Sequence, residues 1–367
     1  MTVKVGILTF HFVNNYGALL QAKSLQTYLD SLSVDSEIVN YESFTRRKLY
    51  AIRGLKDWRQ RVHALTSIPS QIRKIAKFDD YRAKSLNCSA YVSSAEGLVS
   101  ELRKYSHLIV GSDQVWNPKY GEGAVDAYTL NYPNILAKRI SYAACVGSSS
   151  VNTYLLQKSN AAFDEFSAIS TRDEFSKKLI QELTGNESIT KVLDPSFLID
   201  WNLYVLSEGK PDLECGDYIL VYGFSREIFE LVEYLARKYP GRRILAIGME
   251  GEFFLSNRVE HRHDVGPSEW IRLMHGAAII VTKSFHGFSL AVNLNKELYF
   301  PITSQRSMDR ITDLCDTLEI DESHTSEIDC DFGVIKVLHV IEYEQIREVL
   351  DRRVSESKGY LMANLSI

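Results

Sequence analysis

In IIVTKSFHGFSLAV, residues 279–292, an apolar strand-like run stops at Lys283-Ser284 and resumes after Gly287 as an apolar helix. His286 at that junction can donate a hydrogen bond to a phosphate and move a proton near neutral pH. Lys283 adds a cation and Ser284 a hydroxyl. Gly287 allows the free N–H groups of a helix start to approach an anion closely. A lone histidine at a strand-to-helix turn is also an ordinary structural residue. The neighbouring Lys283 and Ser284, with an arginine in another loop, turn the reading toward an anion site.

Two further loops carry residues of the same kind. In GSDQVWNP, residues 111–118, Asp113 directly follows a strand and fits a general base, or an acceptor for a sugar hydroxyl, as well as an Asx turn or helix cap. Ser112 beside it is a further substrate-binding candidate, and Gln114, Trp116 and Asn117 together read as a sugar-binding surface of amides and one aromatic face. In ISTRDE, residues 169–174, Arg172 falls where a strand meets a helix N-terminus. The helix dipole disfavours a cation there unless a bound anion pairs with both, although Asp173 and Glu174 offer local neutralisation instead. The polar loop HFVNNYG, residues 11–17, contributes Asn15 as another substrate-binding candidate. His261 and His263 form an HxH pair whose spacing matches no standard ligand array, so no metal is expected. Walker A, GxGxxG, GxSxG and HExxH patterns are absent from the sequence.

Composition limits what these residues can serve. A net charge of −5 argues against nucleic acid as the partner and against a protein coating an anionic membrane. Five scattered cysteines without a CxxC argue against a disulfide framework and for a reducing cytoplasm. The opening MTVKVGILTF reads as a first strand rather than a signal peptide, and no segment has the length of a spanning helix. A membrane-linked substrate would be met at the cytoplasmic face of the inner membrane. Residues 43–83, rich in Arg46, Arg47, Lys48, Arg53, Arg59, Arg61, Arg73, Lys74 and Lys77, read as a solvated helical face, with an anionic lipid-phosphate acceptor or leaflet as the second reading.

The elements that must position the candidate residues alternate strand and helix. Strands are expected over 4–10, 36–40, 107–110, 139–144, 168–170 and 191–193, with a helix stripe at Ala18, Ala22, Leu25 and Leu29. A helix over 173–184 is stopped by Gly185. The pattern restarts after the linker-like LSEGKPDLECGD, residues 206–217, with strands at 218–222, 243–247 and 278–282. This α/β order predicts two Rossmann-like, doubly wound lobes, residues 1–205 and 206–335, followed by a C-terminal helix within 336–367. The first lobe is expected on the acceptor side and the second on the donor side. The active site would then lie in the cleft at the C-terminal ends of the strands.

Four blocks in order resemble the polysaccharide pyruvyl transferase family. They are HFVNNYGALLQAKSLQTYL, HLIVGSDQVWNP, ISTRDEFSKKLIQELTG with KVLDPSFLI, and PSEW followed by VTKSFHGFSLAVNLNK. The resemblance implies a GT-B-like arrangement, phosphoenolpyruvate as donor substrate, and no cofactor beyond it. The acceptor would be a sugar of a surface polysaccharide or its lipid-linked oligosaccharide precursor, and the product a pyruvate ketal. On this reading Arg172 binds the donor's carboxylate or phosphate, and His286 clamps the phosphate and serves as the acid. Ser284 and Gly287 complete the cradle, and Asp113 is the base. Two alternatives remain. One is a GT-B-like glycosyltransferase using a nucleotide sugar, with Glu250 or Glu252 on the ribose. The other is a catalytically degenerate binding subunit, motivated by Ser284 and Phe288 standing where relatives carry an Arg and a small polar residue.

Overall fold

A computed structural model of the chain describes residues 3–42, 58–147, 152–209, 217–223, 225–247, 259–302, 305–330, 333–340 and 342–366. Packing divides the chain into two compact units, one of residues 1–53, 82–199 and 351–367, the other of 54–81 and 200–350. The units are not contiguous in sequence as the expected lobes 1–205 and 206–335 are: residues 54–81 pack with the second unit and 351–367 with the first, and the later crossover falls between 199 and 200. The helix Trp201–Ser207 is tied into the second unit by the Trp201 N–H, which donates to Asn293 Oδ1 at 3.2 Å.

In the first unit, β1 (Lys4–Leu8), β2 (Asp35–Ile38), β3 (His107–Val110), β4 (Lys138–Ser141) and β5 (Phe166–Ala168) form a parallel sheet ordered β2-β1-β3-β4-β5. The apolar runs of β1 and β3 are buried almost throughout, as in a parallel sheet covered on both faces, and β4 buries Ile140 together with the polar Arg139 and Ser141. The helix Tyr16–Ser31 starts where the Asn15 side chain accepts from Ala18 N, and its Ala18, Ala22, Leu25 and Leu29 face the core. Short strands β6 (Ser170–Thr171) and β7 (Thr190–Lys191) pair in parallel. Isolated bridges Asp113–Ala144 and Ala144–Thr171 extend the pairing past the strand ends and bring two candidate loops alongside each other.

The second unit holds β8 (Tyr218–Tyr222), β9 (Arg243–Ile247), β10 (Val259–Arg262), β11 (Ile279–Thr282), β12 (Glu297–Pro301), β13 (Thr325–Cys330) and β14 (Gly333–Val340), ordered β10-β9-β8-β11-β12-β14-β13. Strands β8 to β12 run parallel, while β14 is antiparallel to both β12 and β13. Residues 336–340, expected with the terminal helix, instead complete β14. There Ile335 and Val337 are buried and Lys336 between them is exposed, which is the period of a strand. The terminal helix runs over Glu344–Leu365.

The basic stretch is only partly described. Arg46, Arg47, Lys48 and Arg53 lie outside the described residues, as do the side chains of Arg59 and Arg61. Farther along the helix Trp58–Ser85, Arg73 pairs with Asp264 at 2.6 Å and Lys77 with Glu269 at 2.8 Å. These contacts take two of the cations expected to face solvent or lipid. No described helix is long and apolar enough to cross a membrane.

Candidate active site

The first unit brings Ser112, Asp113 and Arg172 together around a residue the sequence reading did not single out, Asp194. Arg172 Nη1 donates to Asp194 Oδ2 at 2.8 Å, and Ser112 Oγ donates to the same oxygen at 3.1 Å. Arg172 Nη2 lies 3.9 Å from Asp113 Oδ1 and 3.2 Å from Cys145 Sγ. Backbone pairing sets this meeting, since Cys145 N donates to Asp113 O and Arg172 N donates to Ala144 O.

The two carboxylates differ sharply in access. The Asp194 side chain is 0% exposed and that of Asp113 18%. A buried carboxylate needs a counter-charge, and Arg172 supplies it from a side chain that is itself only 2% exposed. The guanidinium therefore turns inward rather than standing open at a helix start as the sequence suggested. The start of the helix Glu174–Thr184 is capped by Asp173, whose side chain accepts from Ser176 N. Burial opposes the Arg172 charge, but Cys145, Asp194 and Asp113 more than offset it, so its pKa rises above the ordinary value.

The chain leading into Asp113 is held from the other side by the first helix. Gln21 Oε1 accepts from Ser112 N at 3.3 Å, and Thr9 Oγ1 donates to Ser112 O at 3.1 Å. Gln21 Nε2 donates to Thr9 Oγ1, Phe10 O and Ala18 O, so the buried amide is satisfied at both ends. A glutamine on the apolar stripe of a helix was the sequence signal that could have found it. For Asp194 the signal was an Asp-Pro directly after the buried Val192-Leu193.

The expected sugar-binding face needs correcting. Trp116 is 0% exposed, donates from Nε1 to Tyr128 O, and packs edge-on against Phe163 and Phe166. It is a core residue with its polar atom satisfied, not a platform for a sugar ring. Asn117 is buried as well: its Oδ1 accepts from Lys119 N and its Nδ2 donates to Gln114 Oε1. Gln114 is half-buried and also accepts from Lys119 Nζ. Asn15 is exposed and caps its helix.

In the second unit, Lys283, Ser284, His286 and Gly287 stand at the end of β11 and the first turn of the helix Phe285–Asn293. Lys283 is exposed, while His286 is 8% exposed with its ring edge-on to Phe285 at 5.3 Å. Ser284 is the N-cap, its side chain accepting from Gly287 N at 3.4 Å, so that N–H is engaged within the protein. A Cβ on Gly287 would lie 2.6 Å from Thr282 Oγ1 and 2.9 Å from Tyr222 Cδ1. The missing side chain thus serves close packing against β11 and β8. Tyr222 is pushed up to about 12 by burial, with a hydrogen bond to Ser284 acting the other way. His261 and His263 stack face to face on and beside β10. Among the described residues no cluster of His, Cys, Asp or Glu could hold a metal ion.

The family model of polysaccharide pyruvyl transferase matches residues 15–300, which hold every candidate residue above. The chain belongs to that family. Membership makes this polysaccharide pyruvyl transferase relative a transferase acting on polysaccharide. No curated protein matches the sequence. Among solved structures, a UDP-N-acetylglucosamine 2-epimerase is 12% identical with a TM-score of 0.51, covering 99% of this chain and 96% of its own. A UDP-GlcNAc 2-epimerase from Neisseria meningitidis, bound to UDP-GlcNAc, is 12% identical with a TM-score of 0.49, covering 100% of this chain and 99% of its own. At that identity the former likeness speaks for the fold, which is the expected α/β, GT-B-like type with two Rossmann-like lobes and a C-terminal helix. Glu250 and Glu252, considered for a nucleotide ribose, lie outside the described residues.

Proposed function

We propose that this family member moves pyruvate from phosphoenolpyruvate to two hydroxyls of one sugar in a surface polysaccharide or its lipid-linked precursor. The single observation that carries the reading is Asp113, a carboxylate left 18% exposed beside a buried guanidinium. Such a group can take a proton from an acceptor hydroxyl while its neighbours hold its position.

Protonation of the donor's methylene carbon leaves an oxocarbenium-like centre at its phosphate-bearing carbon. The first sugar hydroxyl attacks that carbon and gives up its proton to Asp113. The C–O bond to phosphate then breaks, and the second hydroxyl closes the ketal as its proton passes to the departing phosphate, so one hydrogen phosphate leaves for each ketal formed. His286 is the proposed acid at the methylene carbon. Lys283 and the Ser284 hydroxyl are the proposed partners of the phosphate, beside the positive end of the helix Phe285–Asn293. Residue types and the family match support this reading.

Thermal-shift titration separates the donors. Stabilisation by phosphoenolpyruvate but not by UDP-sugars supports the proposal. Stabilisation by UDP-sugars alone, with no phosphate released from phosphoenolpyruvate by any acceptor glycan, would replace it with nucleotide-sugar chemistry. His286→Ala is expected to lower phosphate release by about 100-fold or more while the protein stays folded. Full retained activity would remove His286 from its role.

A further inference from the structure

Asp194 touches two of the routes by which the protein holds Asp113, one through Arg172 and one through Ser112. Its Oδ2 accepts from Arg172 Nη1 at 2.8 Å, and the other arm of that guanidinium lies 3.9 Å from Asp113 Oδ1. The same Oδ2 accepts from the hydroxyl of Ser112, the residue that leads into Asp113. The remaining oxygen, Oδ1, accepts from Ser196 N at 3.0 Å, so both carboxylate oxygens are engaged.

The segment presenting Asp194 is pinned as well. Leu193 N donates to Ser357 Oγ at 3.0 Å, and Leu193 O accepts from Tyr142 Oη at 3.0 Å. Ser357 lies on the terminal helix and is 2% exposed, and three residues on, Tyr360 Oη donates to Ser141 O. The terminal helix, beyond the span of the family match, thus fastens the backbone one residue from Asp194.

We propose that Asp194 is a positioning residue for transfer, fixing the Asp113 carboxylate through Arg172 on one side and Ser112 on the other. The inference rests on the reading of Asp113 as the base. A buried ion pair gives little net stability over an apolar replacement, so stability alone is a weak reason for this one. Asp113 also has a φ of 68°, a conformation that a non-glycine residue holds only where its surroundings fix it. A base displaced by about 1 Å loses on the order of 100-fold in rate, which gives the fixing its functional consequence.

The test uses Asp194→Asn, which keeps the shape and removes the charge. With phosphoenolpyruvate and an acceptor glycan, kcat is expected to fall about 100-fold with acceptor KM within about twofold of wild type. Asp113→Asn combined with Asp194→Asn is expected to be no more than about threefold slower than Asp113→Asn alone, because the two act through one group. Losses that multiply in the double variant would overturn the proposal. If Asp194→Asn does not fold, Ser112→Ala removes one arm without stranding a charge. It is expected to lower kcat about tenfold, and an unchanged kcat would overturn the proposal. Should wild-type protein release no phosphate from phosphoenolpyruvate with any acceptor, the donor reading falls and structure decides instead. A crystal structure of Asp194→Asn, or of Ser112→Ala if the former does not fold, with Asp113 shifted supports the positioning role. An unmoved Asp113 ends it.

Discussion

Arg172 and Asp194 form an ion pair of 2.8 Å in which neither side chain is more than 2% exposed. Removing Arg172 strands the Asp194 charge in the interior at a cost of about 3–5 kcal/mol, and removing Asp194 leaves the guanidinium to its longer contact with the Asp113 carboxylate. Asp194→Ala is therefore expected to lower the urea midpoint strongly, and Arg172→Met to do likewise. Combining them should recover much of the loss, since no charge is then left alone. A double variant whose loss equals the sum of the singles would show that the pair is not coupled.

Trp116 gives a second prediction that separates core from binding surface. Its ring fills a cluster with Phe163 and Phe166, so Trp116→Ala is expected to cost about 3–5 kcal/mol. Trp116→Phe keeps most of the volume and loses the Nε1 bond to Tyr128 O. That variant should melt lower while acceptor KM stays near wild type. A selective rise in acceptor KM without loss of stability would return Trp116 to a sugar-binding role.

The fold was legible where burial is two-sided, because strands such as Leu108-Ile109-Val110 and Ile279-Ile280-Val281 read as apolar runs bounded by turn residues. The β13–β14 hairpin was not legible. TSEIDC in β13 buries only Ile328, and an edge strand with one buried residue carries almost no periodic signal. The site was legible at Asp113 and Arg172 as residue types but not as a pair. An aspartate before a proline reads as a turn cap, and Asp194 does cap Ser196 N. Its second task depends on an arginine 22 residues away, which only the paired loops bring near.

His11 supplies a pH dependence. It is 2% exposed, and burial pushes its pKa below the ordinary value, with Arg82 adding to the shift and Thr9 O, the Asn40 side chain and Glu42 opposing it. Below pH of about 6.5 the unfolded chain binds a proton that the native imidazole refuses. Stability should fall as pH drops from there toward the folded pKa, by at most about 1.4 kcal/mol per pH unit from this group, and His11 should add no slope above it. Urea unfolding of wild type and His11→Asn between pH 5 and 8 checks this. Curves that stay parallel across the range would show that the buried ring titrates normally.

Gly287 decides between two uses of one glycine. An alanine there gains helix propensity of up to about 1 kcal/mol, since glycine is the poorer helix former. Its Cβ would meet Thr282 Oγ1 at 2.6 Å and Tyr222 Cδ1 at 2.9 Å. Thr282 Oγ1 cannot yield easily, because it donates to Tyr222 O at 2.8 Å and accepts from Ser284 N at 3.1 Å. Overpacking of this kind costs about 1–3 kcal/mol, enough to exceed the propensity gain. Gly287→Ala is thus expected to lower the melting temperature of the ligand-free protein, and Thr282→Ser, which removes the methyl at 3.2 Å and keeps the hydroxyl, should relieve only part of that loss. If Gly287→Ala instead melts at or above wild type and loses only its stabilisation by phosphoenolpyruvate, the glycine serves the approach of the anion and not the packing of the helix.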